Sequence, residues 1–231
     1  MFCRGKEAQR KEIWKLRRID DGALASVKPP RSIGILPGIL TDQSEEANKR
    51  RGFRSLFYCA HFVFHLPTAI TYFSETKERS PVKIKRIEEI NLEALFMYDT
   101  VVFGFERHTF LSKWLSVTDS HARVAINGEG SIVGYTVARP TFVKEEGFKI
   151  GPLFAASEPI AEMLLKAVFQ ELLQEEGPAA VVSIDAPSKR ATDLFKRLEG
   201  KRLFDMVYMV RGDLPDASFD KWFGYTTTQL S

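Results

Sequence analysis

One stretch constrains the fold more than any other. Residues 148–185 give an apolar run, a helix and a second apolar run in close succession. Phe148 to Ala155 reads "FKIGPLFA", a strand. From about Pro159 to Gln174 the residues Ile160, Leu164 and Val168 recur on one helical face. Ser157 suits the N-cap, and Pro159 suits the first turn, where its missing N–H matters least. Gly177-Pro178 stops the helix, and "AAVVSID" (179–185) is rich in valine and isoleucine, as a buried strand is. Two strands joined through a helix lie parallel in one sheet, with a right-handed crossover.

The flanking sequence adds antiparallel strands. Ile87, Ile90, Ala94 and Met97 repeat at helical spacing, and a second helix is predicted over 106–116 with Phe110, Leu111, Trp114 and Leu115 inward. "HARVAIN" (121–127) and "SIVGYTVAR" (131–139) are strands joined by Asn127-Gly128-Glu129-Gly130, residues that tolerate positive φ in a hairpin. After residue 185 come a helix over 188–200, closed by Gly200, and a last strand over 202–212. The prediction is a mixed α/β sheet, antiparallel first and with a parallel pair in its second half.

Upstream the pattern is less regular. Residues 1–32 read as a loosely structured basic segment ending in "VKPPRS". Residues 33–75 are apolar with irregular punctuation, and "SETKERSP" (74–81) has linker composition. The expected organisation is therefore 1–32, 33–75, a linker over 76–86, and a regular module over 87–231. Residues 53–73 are apolar enough to raise the question of a membrane span. Arg54, His61, His65 and Pro67 within that window argue for buried strand instead.

Composition excludes more than it assigns. At 231 residues the chain can bury one substantial core plus a smaller piece. The formal charge of +3 gives no whole-protein case for nucleic-acid binding. Cys3 and Cys59 fit no zinc or redox spacing, and no apolar leader follows the basic N-terminus, so a reduced, cytoplasmic protein is expected. His61 and His65 are spaced for zinc only on a helix, and this stretch reads as strand. No metal is expected.

Six short strings occur in order: "YDTVVFGFERHTFLSKWL" (98–115), "IVGYTVARP" (132–140), "IGPLFAASEPIAEMLL" (150–165), "SIDAP" (183–187), "MVRG" (209–212) and "FGYTT" (223–227). Together they resemble the C-terminal module of a two-module subfamily of GNAT N-acetyltransferases, over about 85–231. The resemblance implies a GNAT-like fold: a mixed, mostly antiparallel sheet with a splayed parallel strand pair and flanking helices. "NKRRGFRS" (48–55) is similar to the close of a GNAT domain, which would make 33–75 the tail of a first module. An unrelated strand near the linker is the other reading.

The resemblance also assigns roles. Acetyl-CoA is the implied co-substrate, its pantetheine along Leu153, Phe154 and Ala155. Its pyrophosphate would meet Ala156, Ser157, Glu158, Ile160 and Ala161 at the helix N-terminus. This loop departs from the family pattern: Ala156 replaces a Gln or Arg, and Pro159, which has no N–H, replaces a glycine. Asp185, at the open end of the splay, is placed to take a proton from an amine. Equally, it can cap the helix at 188. Phe195 stands where the family often has a tyrosine acid, and Arg190 where it often has asparagine, which leaves Tyr208 as the candidate acid or as a core tyrosine. Asp99, Glu106, Arg107 and Arg139 are assigned to the acceptor side. The expected function is acetyl transfer from acetyl-CoA to a small-molecule or peptide amine. The rival is a GNAT-like module that binds a ligand or partner without catalysis, and Pro159 and Phe195 favour it.

Overall fold

A computed structural model describes residues 33–35, 42–75, 81–214 and 216–226. The expectations for 1–32 and for most of the linker lie outside the described residues. Nine strands form one sheet: β1 (Ile33–Ile35), β2 (Arg54–His65), β3 (Lys83–Arg86), β4 (His121–Ile126), β5 (Ile132–Pro140), β6 (Phe148–Ala155), β7 (Val181–Ala186), β8 (Lys201–Arg211) and β9 (Trp222–Gly224). Among the described residues six α-helices accompany them: α1 (Asp42–Lys49), α2 (Leu66–Glu75), α3 (Leu92–Phe103), α4 (His108–Leu115), α5 (Glu158–Glu176) and α6 (Lys189–Arg197). The spatial order is β1-β8-β2-β7-β6-β5-β4-β3, with β9 paired to β6. Among the described residues only β6 and β7 run parallel, as the strand–helix–strand stretch requires.

Both sheet faces are covered. Ile160, Leu164, Val168 and Phe169 of α5 pack with Phe62, Phe64, Ile150, Val182 and Ile184. On the opposite face Leu95, Val102, Leu111 and Trp114 of α3 and α4 pack with Val124, Tyr135, Val137 and Trp222. Every residue of β6 is buried, which explains why its sequence, Lys149 apart, is a near-continuous apolar run rather than an alternating one.

Four expectations are corrected. First, the boundary expected at 76–86 does not divide the sheet. β2 lies between β7 and β8, with His61 opposite both Asp185 and Phe204. Second, only the first half of 53–73 is strand. From Leu66 the chain is helical, with Leu66, Ala69 and Phe73 buried at helical spacing and Pro67 in the first turn, where no N–H is missed. Third, the periodicity at 87–97 spans two elements. Ile87–Glu89 is a 3₁₀ turn, and Asn91 then caps α3 by accepting from the Glu93 N–H at 2.9 Å. Fourth, Glu199 rather than Gly200 takes the left-handed conformation after α6 (φ +57°). Gly200 is needed for space, because a Cβ there would lie 2.6 Å from the Phe64 ring.

The parallel pair is short. Register runs from Phe148↔Val182 to Ile150↔Ile184 and then stops. Beyond it β6 pairs with β9, Leu153 opposite Gly224 and Phe154 opposite Trp222. The Tyr225 N–H donates to the Asp185 carbonyl at 2.9 Å. Thus β9 sits between the diverging ends of β6 and β7. The cleft floor is Gly151, where a Cβ would lie 2.1 Å from the Thr226 carbonyl oxygen.

Candidate active site

Where β6 and β7 part, four strands bring a buried charged group together. Asp185 on β7 is fully buried. Its Oδ1 lies 2.6 Å from Nδ1 of His61 on β2, and its Oδ2 lies 2.7 Å from Nζ of Lys149 on β6. Lys149 Nζ is also 3.3 Å from His61 Nδ1. The imidazole stacks on Phe204 of β8 at 4.5 Å between ring centroids. Burial pushes the Asp185 pKa up, but the Lys149 charge and the His61 contact outweigh it and hold the carboxyl below its ordinary value. For Lys149 the balance is reversed, and burial leaves its pKa below the usual lysine value despite Asp185.

These facts fix what each group can do. An ionised carboxylate only accepts, so Nδ1 carries the proton toward it. In the neutral ring Nε2 then holds the lone pair. The His61 side chain is 16% exposed, so the group as a whole is buried while its imidazole reaches the surface.

Asp185 does not cap the following helix. Ser188 does, accepting from the Ala191 N–H at 3.1 Å. Tyr208 lies on β8, stacked on Phe57 at 4.8 Å between ring centroids and 5.5 Å from the Tyr225 ring, not beside Asp185. Burial raises its pKa. Asp99 and Arg107, assigned to the acceptor side, bind each other instead. Two bonds of 2.7 Å join them, Tyr135 Oη donates to Asp99, and Arg107 also donates to Thr226 Oγ1 at 3.0 Å. Arg107 lies over the Phe103 ring, 3.6 Å from its centroid. This is an internal clamp on the segment after β9. Glu106 is exposed, 3.6 Å from His108 Nδ1. Arg139 is 92% buried, since only 8% of its surface is exposed, and it lies over the Trp114 ring.

The residues assigned to acetyl-CoA do not form an open slot. Leu153, Phe154 and Ala155 are fully buried and pair with β5 on one side. On the other, β9 pairs with Leu153 and Phe154. Ala156 donates its N–H to the Val133 carbonyl at 2.8 Å. Ser157 is the N-cap residue of α5 without a side-chain capping bond, and Glu158 places a carboxylate on the first turn, 2.5 Å from Arg197. Ile160 and Ala161 face the core. An anion at this N-terminus would meet a carboxylate already there.

No helix of the described residues is long and apolar enough to cross a membrane. Among the described residues the one grouping with metal-ligand spacing is His121, Glu171 and Glu175. Glu171 already bonds Arg123 and Arg86, so positive charge is supplied there. His61 and His65 are held on a strand, roughly 13 Å apart.

Sequences described as Acetyltransferase (GNAT) domain match residues 95–224, more than half of this chain. The chain belongs to the GNAT acetyltransferase family. It is 24% identical over 194 residues to the holothin acyltransferase of Pseudoalteromonas sp. (strain SANK 73390), covering 83% of this chain and 59% of that protein. In fold it is similar to a putative acetyltransferase from Pyrococcus horikoshii (TM-score 0.61, 19% identity, 85% of this chain and 59% of that one). A tandem GNAT protein from the clavulanic acid biosynthesis pathway shares the fold at a TM-score of 0.55 and 11% identity, over 78% of this chain and 63% of that one. The chain thus spans about 59% of the length of the holothin and Pyrococcus proteins.

In this GNAT domain the structure groups Asp185, which the sequence singled out, with His61 and Lys149, which it did not assign to the site. Lys149 left a signal, since it is the one charge inside an otherwise apolar strand. A strand buried on both faces keeps a lysine only where something pairs with it. His61 gave no such sign, because its relation to Asp185 depends on β2 entering the sheet beside β7.

Proposed function

We propose that this GNAT domain serves acyl transfer to an amine, as an acetyl-CoA-dependent N-acetyltransferase, and that His61 with Asp185 handles the acceptor's proton. The observation that carries this is the 2.6 Å contact between His61 Nδ1 and Asp185 Oδ1 at the point where the parallel strands part. Family membership supports acyl transfer in general. An ammonium must lose a proton before its nitrogen can attack. His61 Nε2 accepts that proton, and Asp185 stabilises the imidazolium that results. Lys149 keeps Asp185 ionised, so the carboxylate orients the ring without taking up the proton itself. On the donor side, Leu153 and Phe154 are paired with β9. A reduced, cytoplasmic setting is part of the proposal, supported by Cys59 as a free buried thiol. The test is thiol release from acetyl-CoA by the intact chain across a panel of amines. Release that depends on the amine supports the proposal, and none with any amine contradicts it.

The β9 strand favours one second reading, a GNAT-like module that binds a ligand or partner without itself holding CoA. Trp222 and Phe223 of β9 are core residues, so opening the β6–β7 cleft would expose them. Calorimetric titration with CoA separates the readings. Binding by the folded chain supports transferase action, and heat-silent titration beside an unchanged melting temperature supports the second reading.

A further inference from the structure

Arg139 is a buried cation with no counter-charge. It is 92% buried, its Nε has no hydrogen-bond acceptor, and no carboxylate lies within ion-pair distance of it among the described residues. Its guanidinium lies over the Trp114 ring, 3.6 Å from the centroid. Trp114 is itself fixed by donation from its Nε1 to the Gly151 carbonyl at 2.8 Å. Stacking satisfies the face of a guanidinium and leaves its edge, which carries the donors, for a planar anion. An unpaired buried charge is costly, and it persists where a ligand repays the cost.

Its place in the sheet says which ligand. Arg139 is opposite Lys149, and Lys149 is opposite Ser183, two residues before Asp185. Arg139 therefore lies on the His61–Asp185 face, two strands across and two residues along, about 12 Å from Asp185 between Cα positions. Between them stands Lys149, already committed to Asp185. The row thus presents a free anion receptor at one end and a proton acceptor at the other. We propose that Arg139 receives a carboxylate, and that the acceptor is therefore an amine that also carries a carboxylate several bonds away, as in a short peptide or an ω-amino acid. The amine end of this inference rests on the transfer reading above; the carboxylate end does not.

The test uses the full chain, with glycylglycine and glycylglycinamide as probes in calorimetry. Loss of the carboxylate should weaken binding at least ten-fold, the effect of one or two charged hydrogen bonds. Arg139→Met keeps the packing stem and should abolish this preference without lowering the melting temperature. A purely structural arginine would lower it. Should Arg139→Met fail to fold, Arg139→Lys keeps the charge but not the fork, and it should lose most of the preference. Equal binding of the two probes, no binding of either, or a preference that survives Arg139→Met would overturn the inference. So would competition between CoA and glycylglycine, which would assign Arg139 to donor phosphates. Preference for glycylglycine without any amine-dependent thiol release leaves Arg139 as the receptor and removes the transferase reading. Release with amide and acid equally good removes Arg139 alone.

Discussion

At the scale of single residues, the Lys149–Asp185–His61 group dominates. Asp185→Asn leaves Lys149, 3% exposed, with no anion beside it. The expected loss is about 3–5 kcal/mol, the usual cost of breaking a buried pair from one side. Urea unfolding measures it, and Asp185→Leu combined with Lys149→Met should recover most of the loss. The same group sets an acid limb. Asp185 has a folded pKa below its unfolded value of about 4. Its pairing therefore stabilises fully above pH 4 and is lost as pH falls through the folded value. Lys149 acts at the other end. Its depressed pKa means that the native state releases its proton first, so this group's contribution rises with pH up to the ordinary lysine value. Urea unfolding between pH 2 and 6 should show a steeper acid loss for the parent than for Asp185→Asn. Equal slopes would mean that Asp185 is not held ionised by its partners. Residue identity told part of this in advance. Arg139 and Asp185 stood out as charges at the ends of apolar strands. Asp99 and Arg107 were also picked out, but spacing could not reveal that each is the other's partner across one helical turn and a loop.

At the scale of elements, β9 is the surprise. Its three residues carry no periodicity that a sequence reading can use, and the same holds for β1 and for β3 at four residues. The longer elements were legible because each had either strict spacing or a valine-rich run. β6 was read at its full extent, 148–155, and α5 to within two residues. Gly151 is where β9's tail presses on β6. Gly151→Ala puts a methyl 2.1 Å from the Thr226 carbonyl. The tail must then move, at an expected cost of about 1–3 kcal/mol, the range for overpacking a filled site. Denaturant titration measures the loss. Hydrogen exchange at Gly224 and Tyr225 should rise with it, since those amides belong to the displaced segment. A neutral substitution with unchanged exchange would show that β9 does not fill the cleft in solution.

At the scale of the whole molecule, the sheet joins two stretches that composition sets apart. β2 hydrogen-bonds to β7 on one side and β8 on the other, and the segment that looked like a separate remnant supplies an interior strand. Loop composition marks where a chain crosses solvent, not which strands it brings together, so the linker-like stretch gave no sign that β2 pairs with β7 and β8. A fragment of residues 81–231 would lose both ladders and His61. It should show little cooperative unfolding in circular dichroism, and adding a peptide of residues 42–75 should restore it. A cooperatively folding fragment would restore the partition at the linker.

The same assembly is the core of the functional account, since the proton acceptor comes from β2 and its orienting carboxylate from β7. The most direct measurement compares parent and His61→Asn, both shown to be folded, for amine-dependent thiol release from acetyl-CoA. The account expects release by the parent and a rate lower by about 10²- to 10⁴-fold in the variant, the usual worth of a positioned general base. Equal rates in the two proteins would contradict it.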